Sequence, residues 1–592
     1  MKKFIFSIIF PLYIITEDII NLSNYDYPKK SSEDDSTYNI VIMGTNDIHG
    51  AFFPHKKKIN DTTYDYGGLI YMGNYITNLR EEWGNRFIWL DSGDQFQGDL
   101  ESKLSNGDII TDFFNIMGLN GATIGNHEWD FKVDFLINQT SKSNFKYIYA
   151  NIKNITSNNE TFLPNQILTS ILQVDKVKVG IIALTTITTK LSNEVNVENI
   201  AFLPYFKTIK EKSSELKKNG TDVIILLLHI GIECHISKEI KLKLGLYHKD
   251  SKFEECRKTD ELYELLSKFN DDNKYFDVII SGHSHETVHQ WIKGYPVISN
   301  IDQGKYFNLM YLHFKKNGDK YIFLKDKTII EGPIPVCGKI FEKTLRCEIG
   351  NSEEIKKWGN LKNFKFHDKI IKKEEKLYDL SKKWEEKIEK FNSEILTSTD
   401  NKMEHIYFNE SILSNFYTDA YRTITGADIV ILNPGFFRNK WNEGNITMAN
   451  LYQIEPFDNK ITSFEMSGKE FKRMIKLIQS YEYIYDVFPS SGLKQVIKKI
   501  DDKNRILLNV KYYDGLVERE IEENKIYKIT TIGYCVPYGG DVFRRVLKWY
   551  KIKNLIIYGD SKELMKKYLK SIDKIKTDNY IDKNNPRYYF KS

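Results

Sequence analysis

The chain reads as an α/β protein built in two blocks, on three features. Short apolar runs alternate with polar, helix-like stretches from Tyr38 to about Ile330, a charged segment with a single apolar stripe follows, and a second set of apolar runs begins near Leu396. The first runs are Ile40 to Met43, Phe87 to Leu90, Val179 to Leu184, Val223 to Leu228 and Val278 to Ile280. They are continuous and rich in β-branched residues, as strands buried on both faces are. Such strands need covering layers on both sides of a sheet. In the charged segment Ile371, Leu377, Leu380, Trp384, Ile388 and Phe391 recur at helical spacing, which predicts an amphipathic connector between domains. Further strands are expected at Ile429 to Leu432, Ile506 to Tyr512 and Ile526 to Ile532. The predicted boundaries are 38–335 for the first domain, 366–394 for the connecting helix and 395–575 for the second domain.

Composition narrows the possible functions. A chain of 592 residues exceeds what one core organises, and aromatics at 14% with hydrophobics at 41% exclude a disordered chain. Lys+Arg 85 against Asp+Glu 80 leaves a formal charge of +5, too little to drive binding to a nucleic acid polymer.

The N-terminus predicts export. Lys2 and Lys3 precede an apolar run from Phe4 to Ile15 that Glu17 and Asp18 close, a length that suits a signal peptide over residues 1–20 and falls short of the ~20 residues that span a bilayer. A buried or uncleaved N-terminal segment is the alternative. No later stretch is long and apolar enough to cross a membrane, and Asn584 to Ser592 lacks the greasy tail of a lipid-anchor signal. The expectation is a secreted or extracellular protein, or one of the endolysosomal lumen, without a membrane anchor; its oligomeric state is left open. Five cysteines match no zinc-binding spacing. In an oxidising compartment near neighbours are the expected partners: Cys234 with Cys256 and Cys337 with Cys347, leaving Cys535 free. Sequons at Asn60, Asn138, Asn154, Asn159, Asn219, Asn409 and Asn445 fit export.

The turns after the first block's strands hold its chemistry. In order they contain Asp47 and His49, then Asp91 and Asp94, then Asn126, His127, Glu128 and Asp130, then His229, then His283 and His285. A single strand-end histidine is commonplace. Five such turns in order, each after a buried strand, converge on one sheet edge and supply the mixed oxygen and nitrogen donors that suit divalent ions such as zinc, manganese or iron. A two-metal centre also needs one bridging carboxylate, and this set is large enough to contain it.

The order D-x-H, G-D, G-N-H-E-x-D, strand-end H and G-H-x-H resembles the calcineurin-like metallophosphoesterases, and the whole chain resembles the 5′-nucleotidase family. The resemblance implies a layered αββα sandwich as a dimetal phosphoesterase domain, the helical linker, and a C-terminal α/β nucleotide-binding domain. It implies that Asp47, His49, Asp94 and His285 hold one metal, that Asp94, Asn126, His229 and His283 hold the other, and that Asp94 bridges them. Zinc is the first choice, with manganese, cobalt or magnesium as alternatives. His127 matches the family's catalytic histidine and Asp130 the carboxylate that orients it. In the second block, Asn433 to Arg438, Pro456-Phe457 and Gly539-Gly540-Asp541 are similar to the family's nucleotide-binding motifs. Carried over, Asn433 and Arg438 bind the nucleotide, Phe457 stacks on the base and Asp541 accepts from the ribose. Phe436 and Val542 replace usual glycines. Cys535 stands where a second stacking aromatic is expected, so Tyr534 or Tyr538 takes that place.

The chemistry agrees. Cations neutralise phosphoryl oxygens and acidify a bound water, and a protonated histidine assists the leaving oxygen. Guanidinium, aromatic ring and carboxylate match the phosphate, base and ribose of a nucleotide. The expected activity is hydrolysis of nucleoside 5′-monophosphates to nucleoside and phosphate, AMP being the first substrate to try. The rivals are hydrolysis of nucleoside di- or triphosphates, UDP-sugars or cyclic nucleotides, and a secreted nucleotide-binding protein without catalysis.

Overall fold

The computed structural model describes residues 19–20, 26–32, 37–59, 62–192, 197–234, 242–251, 255–269, 275–318, 320–347, 357–406, 409–457, 459–479, 487–499, 505–533, 553–582 and 584–591. The leader other than 19–20, together with Tyr534, Cys535, Tyr538 and Asp541, lies outside these residues. The strand Thr37–Thr45 shows how the first block is layered. Ile40 and Ile42 face a second sheet, while Val41 and Met43 face helices, so alternate residues feed two different cores. Thr37–Thr45 lies in a nine-stranded sheet, parallel to Phe87–Asp91, which continues in parallel to Gly121–Ala122 and Tyr147–Ile148. On its other side the long strand Tyr306–Asn317 runs antiparallel. The second sheet has six strands, among them Val177–Thr185, Val223–His229, Val278–Ile280 and Tyr295–Ser299, side by side and parallel.

Helices Leu69–Trp83, Asp108–Met117 and Lys132–Lys142 cover the outer face of the first sheet, and Tyr205–Lys218 with Glu261–Leu266 cover the second. This is the expected αββα sandwich. It matters for function because the parallel strands of both sheets release their C-terminal turns at one edge. The cysteines pair as expected, Cys234 with Cys256 and Cys337 with Cys347.

The connecting helix runs Tyr378–Ser393. Leu377, Leu380, Trp384 and Ile388 are buried in the first block's core with Ile371, while Phe391 packs on the second core. The helix starts later than the sequence pattern suggests. His367 and Asp368, at φ 43° and 63°, turn Leu361–Phe366 back onto Lys369–Ile370 in a tight hairpin. The second block is a five-stranded mixed sheet containing Ile429–Ile431, Lys460–Ser467, Ile526–Ile532 and Lys553–Asp560, packed with helices Ile412–Thr425, Gly468–Gln479 and Ser561–Lys570. The strand expected at Ile506 to Tyr512 is present as Arg505–Tyr513. It belongs to a separate four-stranded sheet, and only Leu507 and Val510 of it are buried. Among the described residues no helix is long and apolar enough to cross a membrane.

His367 pins the hairpin to the sandwich. Its Nε2 lies 3.0 Å from Glu331 Oε1 and its Nδ1 3.2 Å from Glu82 Oε2, and Tyr27 stacks on the ring at 3.6 Å. Burial opposes charging this ring, but the Glu331 carboxylate and the hydrogen bonds to Glu331 and Glu82 outweigh it and raise the pKa. A raised pKa means stabilisation that is complete below the unfolded value of about 6.5 and is lost as pH rises through the folded value. His367→Ala should therefore destabilise the protein by about 3 kcal/mol near pH 6. The gap in Tm between wild type and variant should narrow at alkaline pH, measured by thermal unfolding across a pH series.

Candidate metal centre

Each ligand candidate sits at the end of a parallel strand or a few residues past it, where the chain must turn sharply. Asp47, His49, Asp94, His283 and His285 all have φ between 49° and 79°. Left-handed backbone is costly for a residue with a side chain and persists only where the surroundings hold it, as at functional sites. The turns also approach one another closely. A β-carbon at Gly125 would lie 2.1 Å from Asp94 Oδ1, and one at Gly282 would lie 2.9 Å from Asp47 Oδ2. Glycine at these two positions lets the turns meet.

Two donor groups result, Asp47, His49, Asp94 and His285 in one and Asp94, His229 and His283 in the other. Asp94 belongs to both and is 1% exposed. His49 Nε2 lies 3.8 Å from Asp47 Oδ1, 3.9 Å from Asp94 Oδ2 and 3.0 Å from His285 Nε2. His229 Nε2 lies 3.1 Å from both Asp94 Oδ2 and Asn126 Oδ1, which brings Asn126 into the second group.

The hydrogen bonds behind the rings decide what these gaps mean. His49 Nδ1 meets the Gln97 carbonyl at 2.5 Å and His229 Nδ1 meets the Ser92 carbonyl at 2.8 Å. Each ring spends its Nδ1–H on a carbonyl, so the neutral His49 ring turns an Nε2 lone pair toward carboxylate oxygens and a second imidazole, while a charged His229 aims its Nε2–H at Asp94 Oδ2. Lone pairs facing lone pairs repel. Asp47 Oδ1, fully buried, receives no hydrogen bond of good geometry, its nearest His285 nitrogen being 3.4 Å away. This donor set fits divalent cations, whose bonds of about 2.0–2.2 Å to nitrogen and oxygen would fill such gaps. With the side chains alone, burial opposes ionisation of Asp47 and Asp94, but His285 and His229 outweigh it and hold both carboxyls well below their usual range. Burial drives His49 and His283 each down to about 4. At His229 burial loses to Asp94, and the ring is pushed up to about 10.

His127 stands beside the donors. Its Nδ1 is 2.7 Å from Asp130 Oδ2, and its backbone N–H donates to Asp94 Oδ1 at 2.9 Å. Burial again opposes the charge, but Asp130 and Asp94 outweigh it and hold the ring up to about 9, an imidazolium at neutral pH. From the second block, the Phe457 ring lies 6.4 Å from the His127 ring, and the Arg438 guanidinium lies 5.0 Å over Phe457. Asn433 Oδ1 accepts from Gly435 N at 2.7 Å, capping the turn Pro434–Phe436. Phe436, where a glycine is usual, is buried against Tyr417 and Phe437.

Sequence reasoning gave no role to the residues that shape the turns. Glu128, fully buried, accepts from the backbone N–H groups of Asp94 at 2.9 Å, Gln95 at 2.6 Å and Gly125 at 2.6 Å. Burial and the Asp94 charge push it up to about 7. Asp91 accepts from Thr45 Oγ1 at 2.7 Å and Gln95 Nε2 at 2.9 Å. Asn46 Nδ2 donates to Asp47 Oδ2 at 2.6 Å. The available signal was an acidic residue, Glu128, lying between His127 and Asp130 in the third of the ligand turns.

Comparison with known proteins agrees with this geometry. Residues 40–287 match the calcineurin-like phosphoesterase family and residues 390–548 match the 5′-nucleotidase C-terminal domain. An apyrase from Tabanus yao is 22% identical over 559 residues, covering 86% of this chain and 87% of its own. The protein UshA of Yersinia enterocolitica is 24% identical over 545 residues, covering 87% and 88%. A crystal structure of a 5′-nucleotidase precursor from Thermus thermophilus superposes with a TM-score of 0.66 at 17% identity, over 93% of this chain and 99% of that one. The two matched segments take in the turns that carry the candidate ligands and much of the second α/β block, and the chain joins a calcineurin-like phosphoesterase domain to a 5′-nucleotidase C-terminal domain as a metal-dependent phosphoester hydrolase.

Proposed function

We propose that the protein is a secreted dimetal 5′-nucleotidase that hydrolyses nucleoside 5′-monophosphates to nucleoside and inorganic phosphate. The observation that carries this reading is the meeting of the two blocks at His127, where a histidine held by Asp130 beside Asp94 has the Phe457 ring 6.4 Å away and Arg438 over that ring. Donors for a phosphoryl group thus sit next to an aromatic face and a guanidinium. In this reading 38–335 is the phosphoesterase domain, 366–394 the linker and 395–575 the domain that selects the nucleoside. The apolar leader, the sequons and the cysteine pairs support export.

Asp47, His49, Asp94 and His285 would hold one divalent cation, zinc first, and Asp94, Asn126, His229 and His283 the other. Such cations supply positive charge for phosphoryl oxygens and a water acidic enough to attack at neutral pH. His127, with Nδ1 engaged by Asp130, directs its Nε2 proton outward to the transition state or to the leaving oxygen. Phe457 offers a face for the base, with Tyr534 or Tyr538 as its counterpart; Asn433 and Arg438 bind the nucleotide and Asp541 the ribose. Phosphate release from AMP, ADP, ATP, a UDP-sugar and a cyclic nucleotide, with zinc, manganese, cobalt or magnesium and a chelator control, tests the reading. Preference for any substrate over AMP would replace it with the corresponding rival.

Substitutions sharpen this. Asp94→Asn should abolish turnover and lower bound metal, read by phosphate release and elemental analysis. His127→Ala should cut kcat by ~10²- to 10⁴-fold while metal content stays at the wild-type level. Phe457→Ala should raise KM for AMP by the equivalent of ~1–3 kcal/mol, and the loss should be much smaller for a small artificial phosphate ester that has no base to stack.

A further inference from the structure

Beneath Phe457 lie two buried ionisable side chains, Lys562 and Glu455, that the metal chemistry does not use. Lys562 opens the helix Ser561–Lys570, whose first turn is capped by Asp560, accepting from Lys562 N at 3.1 Å and Glu563 N at 3.2 Å. Lys562 is 1% exposed, and its ammonium donates to the Phe457 carbonyl. Glu455, two residues before Phe457, is fully buried. One of its oxygens accepts from Ser561 Oγ and from Asn459 Nδ2 at 3.3 Å, while Oε2 receives no hydrogen bond. Burial pushes Glu455 up to about 7 against the opposing pull of Lys562. Tyr452 receives the Lys562 ammonium on its ring at 5.1 Å and that of Lys103, from the first block, at 4.9 Å.

Buried ionisable groups are tolerated only with polar partners in place. Here one partner is the main chain of Phe457 itself. The Phe457 carbonyl is tied to the helix below, and the chain on either side, at Glu455 and Asn459, is tied to the same helix end through Ser561, whose N–H donates to Asn459 O at 3.0 Å. The direction of the ring is therefore set from behind, by residues that belong to neither donor group. We propose that Lys562 and Glu455 are positioning residues for nucleoside binding, which fix the turn carrying Phe457 so that its ring faces the space beside His127.

This inference rests on the reading that Phe457 meets the nucleoside, and a double-mutant cycle separates the two. Lys562→Met should raise KM for AMP about tenfold, as loss of a hydrogen bond to a charged group does, with kcat within about twofold and metal content unchanged. In a Phe457→Ala background the same substitution should add less than about twofold, because residues acting as a unit are not additive. Lys562→Arg should recover most of the affinity. A folded Lys562→Met with wild-type KM, or effects that multiply in the double variant, overturns the inference while leaving the reading intact. Wild-type KM in Phe457→Ala overturns both. Should Lys562→Met fail to fold, the isosteric Glu455→Gln answers in its place: KM should rise severalfold only when Phe457 is present, and an unchanged KM overturns the inference.

Discussion

Asp94 is a carboxylate held almost entirely away from water, and the other parts of the site answer to that charge. A lone buried carboxylate is untenable, so each oxygen needs a partner. One accepts the His127 N–H, and the other faces His229. The Asp94 backbone is fixed by Glu128, which takes the Asp94, Gln95 and Gly125 amides together, and the absence of a side chain at Gly125 lets that turn close over the carboxylate. With the side chains alone, Asp130 and then Asp94 lift His127 into its protonated form.

Much of the first block was legible because its physics is local. A doubly buried strand is apolar throughout, and the residue that ends it is the first free to be polar, so the ligand turns stand out against the runs before them. The cysteine pairs were legible for a similar reason, being close in sequence. Glu128, Asp91 and Asn46 were not, since they act on backbone amides and side chains that reach them only after distant turns come together. His367 is a comparable case: its two carboxylates, Glu82 and Glu331, lie 285 and 36 residues away. The second block was harder to read, because Arg505–Tyr513 is half exposed and forms its own sheet, and because Asn433 spends its oxygen on its own turn.

Among the described residues several aromatic and basic side chains link the two blocks. Phe457 and Arg438 reach the catalytic edge directly, Lys103 reaches across to Tyr452, and Phe391 of the connecting helix meets the same tyrosine at 5.2 Å. In the proposed function the division of labour follows from chemistry: divalent cations held by the first block's carboxylates and imidazoles would grip the phosphoryl group, which every phosphate ester shares, whereas the aromatic face of the second block would meet the base, which differs. Keeping the two on separate cores allows substrate taste to change without disturbing the strained ligand turns.

The donors of one metal group come from both ends of the sandwich, His49 and His285 being separated by 236 residues. No short stretch of the chain can present either donor set, since one runs from Asp47 to His285 and the other from Asp94 to His283. The left-handed backbone at five of the ligands is stable only against neighbouring turns that belong to other strands. The donors are brought together by closure of the whole sandwich, unlike those of small metal-dependent domains, whose ligands lie close in sequence and fold around the ion. Metal loading then belongs to the compartment in which folding is completed, and the ions available there, more than any choice exercised by the nascent chain, decide what the centre carries.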